Sequence, residues 1–172
     1  MLGMLAVACA LVSSIGGTPV KTAVVVPGWP KLPYPFETGI VTCNHPMYAG
    51  QHCLLHVSGL PGIDFSTNPP GIVKGGIGNE TRQALSNIEA VAKAAHSSMD
   101  NFMECTVFMS NSAIGPSSFE EMNDAYKDFF GAIKPTRAAF YVKLIGTSLV
   151  EIKCSGFAPP PPGDQPLALK DE

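Results

Sequence analysis

One helix constrains the fold of this chain more than any other stretch. Ala84, Leu85, Ile88, Val91, Ala92 and Ala95 recur at helical spacing, while Arg82, Gln83, Glu89 and Lys93 fall outside that stripe. A helix that is apolar on one side only must lie on another layer, and its neighbours in sequence supply strands for one. Val20–Val26 is a β-branched run stopped by Pro27-Gly28, Cys53–Gly59 ends in a glycine turn, and Gly71–Lys74 reads as a short edge strand. After the helix come a strong strand, Phe102–Met109, and a second amphipathic helix with Phe119, Met122, Tyr126, Phe129 and Phe130 on one face. Asn79 is read as the N-cap of the first helix, in preference to the glycosylation sequon that Asn79-Glu80-Thr81 also spells. Two further strands follow, one carrying Arg137 and one spanning Leu149–Lys153. The order β, β, (β), α, β, α, β, β, with hairpins at both ends, predicts an α+β sandwich of one sheet backed by two helices.

Such a sheet has a second face to cover. With 45% hydrophobic and 15% charged residues, the chain is apolar enough that a subunit interface is the simplest cover. The 172 residues divide into an apolar leader at 1–17, one domain at 18–158 with an insert at about 41–52, and a proline-rich tail at 159–172 expected to be disordered. The leader lacks charged side chains and is too short to span a bilayer, but it has the length of a signal-peptide core. The expected compartment is the cytoplasm, with secretion as the alternative if residues 1–17 are cleaved.

Cysteine arithmetic leaves two readings open. Without the leader four cysteines remain, and Cys43 and Cys53 could close a small loop; in a cytosolic chain all would be free thiols. Cys43, His45, His52, Cys53 and His56 lie within fourteen residues and are all zinc-ligand types. Their spacing matches no zinc module, and His52 and Cys53, adjacent in a strand, point to opposite faces. The expectation is no metal.

Other chemistry is narrowed by composition and motif. A net charge of −3 and the lack of a Lys/Arg cluster argue against nucleic acid as a partner. Neither a Walker loop nor a strand–GxGxxG–helix unit occurs, so no nucleotide cofactor is expected. Gly75-Gly76-Ile77-Gly78 before the first helix is read as a turn rather than an anion cradle. What remains is Lys134–Val142, where Pro135 sets a turn and Arg137 opens a strand. Its guanidinium offers a planar fork of donors suited to a carboxylate. Glu151 stands among apolar neighbours on the next strand. By pattern alone the two form a carboxylate-binding pair or a cross-strand salt bridge.

The ordered set Val57-Ser58-Gly59, Thr81–Ile88, Cys105–Met109, Phe119–Gly131, Pro135–Ala139 and Leu149–Ile152 resembles the Rid family of reactive intermediate deaminases, also called the YjgF-type family, over about Val20 to Ala158. The resemblance implies a chorismate-mutase-like sandwich and a homotrimer with pockets at subunit interfaces. It also implies cofactor-free hydrolysis of 2-imino acids, such as 2-iminobutanoate and 2-iminopropanoate, to 2-keto acids and ammonia. It assigns Arg137 to the substrate carboxylate and Glu151 to the attacking water. Ser58, Gly59, Phe36, Ala139 and Asn123 fall on pocket positions. Three departures stand out: Pro35-Phe36 aligns with the family's Pro-Tyr motif and so lacks its hydroxyl, Ala139 replaces a frequent cysteine, and the insert lengthens one connection. They keep a non-catalytic binding or chaperone-like protein as the alternative; a ribonuclease or translation inhibitor is the third reading.

Overall fold

A computed structural model describes residues 20–43 and 53–160. The apolar leader, His45 and His52 of the insert, and most of the proline-rich tail lie outside the described residues. The main sheet has seven strands. Its order is β1 (Val20–Ala23), β2 (Gly39–Cys43), β3 (Cys53–Val57), β9 (Val150–Ala158), β7 (Phe102–Ser110) and β8 (Thr136–Val142), with β4 (Leu60–Pro61) also paired to β9. A separate ribbon joins β5 (Ile63–Asp64) to β6 (Gly71–Ile72). Two helices, α1 (Gly76–Ala94) and α2 (Ser118–Lys127), back the sheet. The expected mixed sheet with two helices is the fold observed.

Period-two burial explains the layering. In β9 Val150, Ile152, Cys154, Gly156 and Ala158 are buried, while Glu151, Lys153, Ser155 and Phe157 alternate with them. In β7 Cys105, Val107 and Met109 take the inward role. Against them pack Ala84, Leu85, Ile88, Val91 and Ala92 of α1, all fully buried as the apolar stripe requires. Each of the large ones contributes about 1.5–3 kcal/mol by leaving water. Gly156 is needed where β9 meets the irregular start of β7, because a Cβ there would overlap the backbone of Asn101 and Phe102.

Four expectations change. Val41–Cys43 belong to β2, which pairs with both β1 and β3, so the insert proper is 44–52. Its β-branched residues were masked in the sequence by the polar stretch that follows. Asn79 lies inside the first turn of α1 rather than capping it. Gly75 is the N-cap, in a left-handed conformation, and the Asn79 amide donates to the Lys74 carbonyl. The last two strands do not form a hairpin. β8 runs parallel to β7 through the α2 crossover, and β9 then inserts between β3 and β7. Arg137 and Glu151 are therefore not on neighbouring strands.

Candidate active site

The turn before β8 is built by its own residues. The Lys134 ammonium donates to the carbonyls of Lys127, Phe130 and Gly131 at 3.1, 2.5 and 2.8 Å, tying the end of α2 to the strand start. Buried Pro135 follows, and Thr136 donates to the Met103 carbonyl at 3.0 Å. Arg137 is thus delivered on the edge strand of the sheet. Its guanidinium carbon lies 4.8 Å from the Tyr126 ring centroid and 5.8 Å from that of Phe119, and Nη1 reaches Met122 Sδ at 3.7 Å. Rings and a thioether hold the cation without neutralising it. Among the described residues no carboxylate pairs with it.

Tyr126 is buried and packs against Phe130 with the rings tilted, 4.8 Å between centroids. Burial pushes its phenol up to about 12, against the pull of the Arg137 charge, so the ring under the guanidinium is neutral. Ala139 lies two residues beyond Arg137 on the same face of β8, and Asn123 follows Met122 on α2.

Glu151 sits in a different setting. It opposes Pro61 of β4 on one side and Phe108 of β7 on the other. Its carboxyl packs on Gly59, where any Cβ would overlap Oε1. Burial raises its pKa above the ordinary carboxyl value. The strand leading to it is pinned from behind by buried Glu80 of α1, whose Oε2 accepts the Leu149 N–H at 2.7 Å. Glu80 is itself raised by burial, with the Leu149 and Val150 N–H groups pulling the other way. Ser58 joins this group. Its N–H donates to the Thr38 carbonyl at 2.9 Å and its hydroxyl to the Glu37 carbonyl at 2.6 Å, beside Phe36.

Within one chain the two groups do not meet. Residues opposed across paired strands share a face, and successive residues alternate. Arg137 opposes Cys105, which opposes Cys154, a row on the helix side. Glu151 opposes Phe108, which opposes Phe140, three positions along β7 and hence on the open side. So Glu151 lies with Gly59 and the neighbouring Ser58 on one side, and Arg137 with Ala139 on the other, two strands away and across the sheet; Asn123 follows the Met122 that Arg137 touches.

Two features of the site stand outside the residues the sequence pattern singles out. Glu80 gave no signal except as a charged residue flanked by a helix's apolar stripe. Tyr34 did: Pro33-Tyr34 is itself a Pro-Tyr pair, two residues before Pro35-Phe36. Its ring lies parallel to that of Phe36, 5.8 Å between centroids, so a phenol stands next to the position where one is missing. The candidate metal cluster is altered as well. Cys43 and Cys53 are joined in a disulfide, which removes both from any ligand set.

Residues 45–157 match the profile of the family described as Endoribonuclease L-PSP. The chain belongs to that family, the YjgF/RutC/Rid family. Among Rid relatives, a RutC family protein of Pyrococcus horikoshii is 33% identical over 80% of this chain and 98% of its own length. A protein named 2-iminobutanoate/2-iminopropanoate deaminase from Bos taurus is 34% identical, over 51% of this chain and 60% of its own. The chain thus spans less than two thirds of that deaminase. A Rid-family structure from Yersinia pestis superposes with a TM-score of 0.65 at 27% identity, covering 81% of this chain and all of the other. No described helix is long and apolar enough to cross a membrane.

Proposed function

We propose that this Rid-family protein hydrolyses small 2-imino acids to 2-keto acids and ammonia. The observation that carries the reading is the Arg137 guanidinium, held at an edge strand by Tyr126, Phe119 and Met122 with no carboxylate paired to it among the described residues. A cation kept on rings rather than in an ion pair is free to take an anion from solution, and its fork matches a carboxylate in plane and spacing. Fixing the carboxylate fixes the adjacent C=N carbon. Glu151, with a raised pKa, is the stronger base for orienting a water and taking its proton. Water oxygen bonds to the imine carbon, the proton passes through Glu151 to nitrogen, and collapse of the carbinolamine expels ammonia. No redox change occurs, and no cofactor is required.

Because Arg137 and Glu151 lie on opposite faces, the working pocket belongs between two copies of the chain, in a homotrimer that packs the open sheet face. Leu54, Phe140 and Phe157, all exposed on that face, are the apolar surface such packing would bury. Ser58 and Gly59 shape the glutamate half, Ala139 and Asn123 the arginine half. Phe36 lines the entrance, with Tyr34 supplying the phenol beside it. The deaminase name carried by the bovine relative supports the reaction class. Ribonuclease action, which the family description names, finds no support in a chain of net charge −3.

The test is imine hydrolysis, with substrate generated in situ by an amino-acid oxidase and the keto acid followed by semicarbazone competition. Wild type should outpace the uncatalysed reaction, and Arg137→Ala should lose about 10²–10³ in kcat/KM, the worth of a bidentate charge-assisted pair. An Arg137→Ala protein of unchanged oligomeric state and full activity would overturn the assignment. A wild type that binds 2-keto acids at Arg137 yet hydrolyses no imine would favour the binding-protein reading.

A further inference from the structure

All four cysteines among the described residues are paired, as Cys43–Cys53 and Cys105–Cys154. Both cross-links join facing residues of adjacent antiparallel strands. Cys105 opposes Cys154 in the β7–β9 register, and Cys43 opposes Cys53 one step beyond the Thr42–Leu54 pair of β2 and β3. Cys53, Cys105 and Cys154 are each about fully buried, at 1% exposure. From this arrangement we infer that the native protein carries two structural cystines and matures in an oxidising, secretory-type compartment.

Three observations converge on this reading. Placement comes first: two independent pairs stand in register on adjacent strands, the arrangement that lets a cystine bridge each of them. Position in the chain comes second. Cys43–Cys53 closes the base of the 44–52 insert, with a sequence separation of 10, and so carries the connection that lengthens this chain. Cys105–Cys154 stitches the strand beside Arg137 to the strand carrying Glu151. Residues 1–17 come third, apolar and uncharged in the manner of an export signal's core.

Cystines persist in oxidising compartments and are rare in a reducing cytosol, the exception being hyperthermophile cytoplasm. Composition speaks against that exception. Hyperthermophile proteins are rich in charged side chains, and at 15% charged residues this chain lies below the ~25% of ordinary globular proteins. Each bond forms by thiol–disulfide exchange. Two thiols lose two protons and two electrons to the disulfide of a protein thiol oxidase, which leaves as a dithiol. The inference does not depend on the hydrolytic reaction.

The experiment is peptide mapping by mass spectrometry of the full chain from its native source, acid-quenched and blocked with N-ethylmaleimide before any reductant. The expected result is cystine-linked peptides 43–53 and 105–154, no maleimide on those four residues, and a mature N-terminus downstream of residue 17. Maleimide on all four cysteines overturns the inference. Intact cystines on a chain that still begins at Met1 overturn its compartment. A thermal melt with and without reductant gives a second reading: loss of both bonds should lower Tm by about 10 °C or more. An unchanged Tm after complete reduction would show that the cystines are not structural.

Discussion

Around Arg137 the protein offers rings and a thioether; around Glu151 it offers backbone. The arginine is exposed on an edge strand, stacked on Tyr126 and Phe119, and no carboxylate among the described residues pairs with it. The glutamate is half-buried in an interior strand, packed on Gly59 and braced through its own chain by Glu80. A ligand anchor must present its donors to something that arrives from outside, so stacking, which leaves the donor edge free, is the right support. A base must be partly desolvated to be strong, so close packing is the right support there. The contrast yields distinct expectations for the two halves.

The largest effect should come from the glutamate. Glu151→Gln keeps the shape and loses the base, and should cost about 10²–10⁴ in kcat with KM little changed, because the anchor is untouched. In the proposed reaction the same residue sets the pH profile. A carboxyl with a raised pKa is protonated, and idle, further up the pH scale than an ordinary one. The acid limb of kcat should therefore lie above the usual carboxyl value and disappear in Glu151→Gln. A limb that survives in the variant would assign the titration to another group.

Gly59→Ala probes the packing side of the comparison. The added methyl overlaps the Glu151 carboxyl and must displace it, for a loss of roughly tenfold in kcat, again without a rise in KM. A parallel rise in KM would mean that Gly59 contacts the ligand instead. On the arginine side, Tyr126→Phe keeps the ring and should leave KM unchanged. Tyr126→Leu removes the π face and should raise KM about two- to fivefold while kcat holds. Equal behaviour of the two variants would show that the stack does not position the guanidinium.

How much of this could be read in the sequence depends on whether a feature is local. The α1 stripe, the β-prone runs of β7 and of the first half of β9, and the turn at Lys134–Pro135 are written in consecutive residues and are legible there. Strand order is not. The α2 crossover places β8 beside β7, and the pairing of β9 with β3 excludes a β8–β9 hairpin, both through contacts distant in sequence. The opposite faces of Arg137 and Glu151 follow from that order, so they were hidden too. β2 is obscured in the sequence because its short apolar run leads into a polar loop. Glu80 gives no local signal because its partners, the N–H groups at Leu149 and Val150, lie some seventy residues away.

The central claim is that the arginine half and the glutamate half of each pocket come from different copies of the chain. Mixing Arg137→Ala with Glu151→Gln tests it most directly. Each variant alone should be nearly inactive. Co-expressed, and randomly assorted into rings of three, they should regain about one quarter of wild-type activity per site, because mixed trimers hold one interface with both native residues. Were both residues drawn from one chain, every pocket would lack one of them, and the mixture would remain as inactive as its components.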